Sequence, residues 1–130
     1  MMRAVIEGVS HGLKQCLDLV RKVGIDPVAT RLSGGGAQSP FWRQICADLL
    51  DMPAVTTTST EGTAYGAALL AAVGGGAFDS VESACATAIR EIDRVEPGPD
   101  APTLLAAHDI YADLYPALSE TFNAIARSTE

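Results

Sequence analysis

The chain has 130 residues, 48% hydrophobic and 19% charged, which is enough apolar material for one core and too little length for two domains. Nine basic residues against 16 acidic ones give a formal net charge of −7, so it lacks the concentrated basic surface of a nucleic-acid binder. No apolar run approaches the ~20 residues of a membrane span. Glu7 also falls where a signal peptide would build its apolar core, so a cytoplasmic chain without a membrane partner is expected.

The first segment, 2–23, carries Val5, Ile6, Val9, Leu13, Cys16, Leu17 and Val20 at helical spacing, which predicts a helix with one buried stripe. Gly24 after Arg21 and Lys22 marks its end, with cations against the negative end of the helix dipole. Asp26-Pro27 reads as a turn, and 28–33 as a short strand running into Gly34-Gly35-Gly36. Ser39-Pro40 opens a second helix, because the serine hydroxyl can accept an orphan N–H and proline needs none at the first helical position. Phe41, Trp42, Ile45, Cys46, Leu49 and Leu50 form its apolar face, and Pro53 marks its exit.

Residues 54–57 are a second strand, and Thr58-x-x-Glu61 has capping-box spacing for a third helix reaching about Val73. The small side chains from Gly62 to Ala68 let another backbone approach it closely. Asp79-x-x-Glu82 predicts the start of a short fourth helix through about Ile89, and residues 97–102 form a proline-rich turn. The last helix, 103–127, places Leu104, His108, Tyr111, Tyr115, Leu118, Phe122 and Ile125 in steps of four and three, with a kink or break at Pro116. The 3 cysteines, Cys16, Cys46 and Cys85, are widely spaced and read as small core residues in a reducing compartment.

This order is an α/β layout weighted towards helix. Two short strands are few for an independent sheet, so the chain reads as part of a larger one, with an exposed strand edge that predicts a homo-oligomer.

The strongest chemical signal is the stretch from Leu32 to Pro40. Glycines between a strand and a helix admit a ligand to the backbone, and the helix behind them directs its positive end at the loop. A phosphate or other anionic group fits there, and so does a plain tight turn. It is not a P-loop, because no Gly-Lys-Ser/Thr follows, and Ser39 stands where a dinucleotide fingerprint needs its third glycine.

Other candidates carry less. His11 and His108 are far apart, and His108 on the apolar seam reads as a satisfied core histidine. A solvated helix face accounts for Asp48 and Asp51, and a strand end with a cap accounts for residues 56–60. Trp42 reads as a core or lid-packing residue. No nucleophile–base arrangement and no metal-ligand spacing stands out.

The run Arg31-Leu32-Ser33-Gly34-Gly35-Gly36-Ala37-Gln38-Ser39-Pro40-Phe41-Trp42-Arg43-Gln44, followed by Ala47-Asp48, resembles the adenosine motif of FGGY-family carbohydrate kinases, in the form of the xylulokinase branch. The segment from Arg3 to Val9 resembles the family helix before that motif. The Glu61-Gly62-Thr63-Ala64-Tyr65-Gly66-Ala67-Ala68 run resembles the helix after it, and Tyr111 and Tyr115 suit the family's C-terminal helix. The pieces span nearly the whole chain in the family's order.

The resemblance implies a ribonuclease H-like (actin-like ATPase) fold, with ATP and Mg²⁺ in a cleft between two domains and γ-phosphoryl transfer to a sugar hydroxyl. It implies that Gly34, Gly35 and Gly36 lie against the α-phosphate and ribose, and Gln38 and Ser39 near the adenine. Residues 1–130 would be an incomplete, helix-rich C-terminal nucleotide-binding domain, from a proteolytic remnant, a truncated reading frame or an engineered piece. The sugar pocket and catalytic base belong to an N-terminal domain not in this sequence, so no catalytic residue and no metal ligand is assigned here, and the chain alone is expected to be inactive. The rival reading is a non-catalytic module that self-associates or docks a partner through its strand edge and the Leu104-to-Ile125 seam. A glycerol-kinase relative is a further alternative, disfavoured because Gly34 stands where such enzymes more often carry Asp.

Overall fold

The computed structural model describes residues 2–59 and 62–128. The elements are α1 (Met2–Lys22), β1 (Thr30–Leu32), a 3₁₀ turn (Gly35–Gln38), α2 (Pro40–Leu50), β2 (Ala54–Thr57), α3 (Gly62–Gly74), α4 (Val81–Ala88), β3 (Glu91–Val95) and α5 (Ala101–Arg127).

The sheet has the order β1-β2-β3. β1 and β2 are parallel, with Thr30 opposite Ala54 and Leu32 opposite Thr56, so α2 is the crossover between them. β3 runs antiparallel to β2, with Ala54 opposite Val95 and Thr56 opposite Asp93. This third strand corrects the two-strand expectation. Glu91, Asp93 and Arg94 make it highly charged and only Val95 is even half-buried, so it shows no apolar alternation. Its backbone ladder to β2 holds it, and burial contributes little.

The core lies around α2, whose residues from Ile45 to Leu50 are all buried. Cys46, Ala47, Leu50, Met52 and Ala54 pack together, flanked by Leu17, Leu32, Trp42 and Val95. Burial pushes the Cys46 thiol up from its ordinary pKa, partly offset by a hydrogen bond with Ser10, which suits an inert core residue. Cys16, by contrast, is exposed and Cys85 half-buried, so the core reading holds fully only for Cys46.

Both ends of α2 follow local rules. Ser39 Oγ accepts from the Trp42 N–H at 3.3 Å, with Pro40 at the first position, as expected. Asp51 ends the helix in the left-handed conformation and is exposed. Asp48 departs from the solvated-face expectation. It is buried and accepts from the Gly98 N–H at 2.6 Å and from Gln44 Nε2 at 2.8 Å. Gln44 Nε2 also donates to the Glu96 carbonyl at 3.1 Å, so this pair fixes the turn that leads into α5.

Gly24 ends α1 as expected. Its φ is +87°, its N–H donates to the Arg21 carbonyl, and the Ile25 N–H donates to the Val20 carbonyl, the paired bonds of a Schellman cap. The burial of α1 departs from the expectation in part, because Leu17 of the stripe packs against the core but most of its other members do not. Val5 and Val9 are 65% and 56% exposed, whereas Ser10, His11 and Lys14 are buried. The reason is polar satisfaction: each buried group on that face finds a partner, described below. Val5, Val9, Leu13 and Val20 of the stripe face outward.

α5 begins two residues before the expected start and runs through Pro116 without a break. Leu104 and His108 are buried, but Tyr115, Leu118, Phe122 and Ile125 are exposed, so only the first half of the seam is packed. The α4 cap is Ser80 with Ser83, exchanging hydrogen bonds at 3.1 and 3.2 Å, and not Asp79 with Glu82. The helix starts one residue later than that spacing assumed. The proposed Thr58–Glu61 cap ends on Glu61, and the 56–60 run includes Thr60; both of those residues lie outside the described residues. Among the described residues, no helix is long and apolar enough to cross a membrane.

Candidate functional site

The two parallel strands end side by side at Leu32 and Thr57, and the glycine loop crosses their carboxyl ends. Ligands commonly bind at this position in open α/β sheets. A cavity of about 110 Å³ lies there, bounded by Ser33, Gly34, Gln38, Arg43 and Thr56. A second, largely apolar cavity of about 290 Å³ continues from Ser33 and Thr57 towards Tyr65, Leu69 and Val81.

The three glycines differ in what requires them. Gly34 has φ +81°, which side-chain-bearing residues rarely adopt. At Gly36, a Cβ would lie 1.9 Å from Trp42 Cζ3, so the indole covers this residue. Gly35 has neither constraint: its φ is not positive and nothing lies within 4 Å of an added Cβ. Among the described residues, no acceptor meets the Gly35 or Gly36 N–H. They are the first N–H groups of the 3₁₀ turn, which have no acceptor within it.

Gln38 is exposed beside the cavity, while Ser39 is half-buried and its hydroxyl is engaged in the α2 cap. Trp42 anchors the loop from beneath. Its Nε1–H donates to Ser10 Oγ at 3.1 Å, and Ser10 in turn donates to the Ile6 carbonyl at 2.9 Å. Arg43, not singled out from the sequence, also borders the cavity. Its place one turn after Ser39 was the available signal, since helix side chains lean back towards the N-terminus.

His11 and His108, 97 positions apart, meet between α1 and α5 with their Nδ1 atoms 3.2 Å apart. His108 Nε2 faces Asp18 Oδ2 at 3.2 Å, and Lys14 pairs with the other Asp18 oxygen. His11 stacks on Tyr111 at 4.7 Å between ring centroids. Neither histidine lines the glycine-loop cavity, and His108 is buried and partnered, as expected of a core histidine. Among the described residues, no group of three or more His, Cys, Asp or Glu side chains is placed to hold a metal ion.

Comparison with known proteins places these features. Residues 1–75 match the FGGY family of carbohydrate kinases, C-terminal domain. The chain is 35% identical over 129 residues to the xylulose kinase of Staphylococcus epidermidis, a match covering 98% of this chain and 24% of that protein. The crystal structure of ligand-bound xylulose kinase from Lactobacillus acidophilus superposes with a TM-score of 0.85 at 27% identity, covering 95% of this chain and 25% of that one. Gluconate kinase from the same organism gives 0.84, with the same identity and coverage. The chain thus spans about a quarter of the length of the relatives it matches. The expected fold, a helix-rich α/β part of an actin-like ATPase domain with few short strands, agrees with these neighbours. By sequence match and by fold, this chain belongs to the FGGY family of carbohydrate kinases and carries its C-terminal domain.

Proposed function

We propose that the chain supplies the nucleotide-facing side of a xylulokinase-like sugar kinase, in which ATP donates its γ-phosphoryl group to a pentulose hydroxyl in the cytoplasm. In this reading Gly34, Gly35 and Gly36 receive the α-phosphate and ribose side of the nucleotide, and Gln38 and Ser39 lie near the adenine. The carrying observation is the pair of unpartnered N–H groups at Gly35 and Gly36, beside a glycine that nothing inside the chain requires. The free amides suit a phosphate oxygen. Mg²⁺ would come with the phosphates of the nucleotide, and no residue of this chain is assigned to hold it.

The residues here bind and orient, and none is assigned as the base that accepts the sugar proton. The sugar is selected by other parts of the polypeptide, since a xylulose kinase and a gluconate kinase match this stretch equally well. The isolated chain is therefore expected to bind nucleotide without turning over sugar.

Calorimetric titration with Mg·ATP tests this. Saturable binding is expected, lost on Gly35→Val, because the new side chain occupies the ligand's approach at a position where an added Cβ meets nothing within 4 Å. Equal binding by the variant, or none by the unaltered chain at millimolar ATP, would remove the half-site reading.

A second reading is favoured by the outward apolar stripe of α1 and the β1 edge. β3 guards its own edge with charge, which leaves β1 as the pairing edge among the described strands. Self-association of the isolated chain is expected, and light scattering that shows a strict monomer at high concentration would rule it out.

A further inference from the structure

The second half of α5 is packed far less than the first. Leu104 and His108 are buried, whereas Tyr115, Phe122 and Ile125 are 70%, 48% and 57% exposed, and Leu118 is exposed as well. These four continue the seam in steps of three and four, the spacing that fits one helix against another of its kind. Tyr115 and Phe122 lie one heptad apart, with ring centroids 6.2 Å from each other. A groove of about 350 Å³ runs beside the seam, lined by Gln15 of α1 and by Tyr111, Leu114, Tyr115, Leu118 and Phe122.

The residues beside the seam suit a close neighbour. Ala107, Ala112, Ser119 and Thr121 are small and uncharged, so a second backbone can approach without burying a charge. Asp113, Glu120 and Arg127 recur every seven residues on the opposite side of the helix. The exposed seam and Leu114 present on the order of 500 Å² of side-chain surface per copy, so two copies reach the about 1,000 Å² that a specific interface needs.

We propose that this face is a self-pairing surface: the second half of α5 packs antiparallel against α5 of a second copy, about a two-fold axis near Leu118. Tyr115 then meets the partner's Phe122, and Leu118 meets its own copy. Charge fixes the direction. Antiparallel pairing brings Arg127 level with the partner's Asp109 and Asp113, whereas parallel pairing sets each acidic residue level with its own copy. Sterics agree, because the antiparallel arrangement carries the two folded bodies to opposite ends of the helix pair. The pairing rests on the self-association reading and moves its contact from the α1 stripe and the β1 edge to α5.

Sedimentation velocity of the whole chain over a concentration series should show a monomer–dimer equilibrium. Leu118→Glu, at an exposed position, should keep the circular dichroism spectrum and weaken dimerisation at least about tenfold, because its carboxylate would be buried against its own copy. Val9→Glu on α1 and Val28→Lys beside β1 should leave the equilibrium unchanged. A dimer lost with either of these and kept with Leu118→Glu overturns the α5 assignment while self-association stands; a strict monomer removes both. Crosslinking tests the direction in a Cys16→Ser, Cys85→Ser background with copper phenanthroline and air as oxidant. Tyr115→Cys and Phe122→Cys chains should form a disulfide only when mixed. Crosslinking of each variant alone would mark a parallel pair and overturn the antiparallel arrangement.

Discussion

Gly36→Ala is expected to destabilise the chain by about 2–4 kcal/mol, combining overpacking of about 1–3 with a lost hydrogen bond of about 1. That corresponds to a melting temperature lower by on the order of 10 °C. The backbone is not the cause, because Gly36 does not occupy the left-handed region. The cause is contact: an alanine Cβ would lie 1.9 Å from Cζ3 and 2.4 Å from Cε3 of Trp42. The indole cannot simply swing aside, since its Nε1–H is held by Ser10 on α1 and its ring packs against the core. Moving it breaks the tie between α1 and α2 at the base of the loop.

A double-mutant cycle checks this cause. In a Trp42→Leu background the added cost of Gly36→Ala should fall below about 1 kcal/mol, because the clashing ring is gone. Equal costs in the two backgrounds would show that something other than Trp42 requires the glycine. The same geometry decides how binding experiments are read. Loss of nucleotide binding in a Gly36 variant reports a displaced tryptophan, whereas loss in a Gly35 variant reports the ligand surface itself.

Acid is expected to loosen the packing of α1 on α5 in two stages. With Asp18 accepting from His108 Nε2–H, the neutral His108 ring presents Nδ1 as an acceptor, so His11 Nδ1–H is the donor across the pair. Burial, and then the neighbouring His108, hold the His11 pKa below its ordinary 6.5, with Glu7 opposing them. The folded state therefore resists a proton that the unfolded chain accepts. Its stability is complete above pH 6.5 and falls as the pH drops below that value, until folded His11 also protonates.

Asp18 supplies the second stage. Burial pushes its carboxyl up, but the hydrogen bonds and charges of Lys14 and His108 together outweigh this and hold it below the ordinary 3.8. Its contribution is present above that pH and is lost as the pH falls through the lowered value. Urea unfolding followed from pH 7.5 to 3 should show both losses. His11→Phe, which keeps a ring on Tyr111, should abolish the first and retain the second. A stability curve flat between pH 7.5 and 5 would rule out the His11 account.

Most of the fold was legible because it rests on short-range rules. Gly24, Ser39-Pro40 and the 54–57 strand each declare themselves through backbone preferences and capping chemistry that act over a few residues. The glycine run was legible as a strand-to-helix loop for the same reason. β3 was not, because a charged edge strand has no apolar period and is held by a partner strand distant in sequence. The buried Asp48 was missed because its main partner, the Gly98 N–H, lies 50 positions away.

By itself, the sequence determined the order of the helices, two of the three strands, the glycine loop and the resemblance to sugar kinases, since all of these are carried by residues within a few positions of one another. Only the tertiary structure decided which face of α1 is buried and which of three adjacent glycines has no steric or conformational need to be glycine. It alone brought His11 to His108, and Arg43 and Thr56 to one cavity wall. The physical reason is common to all four. A hydrogen bond or a steric contact between distant residues depends on where the chain returns, and local periodicity carries no record of that return.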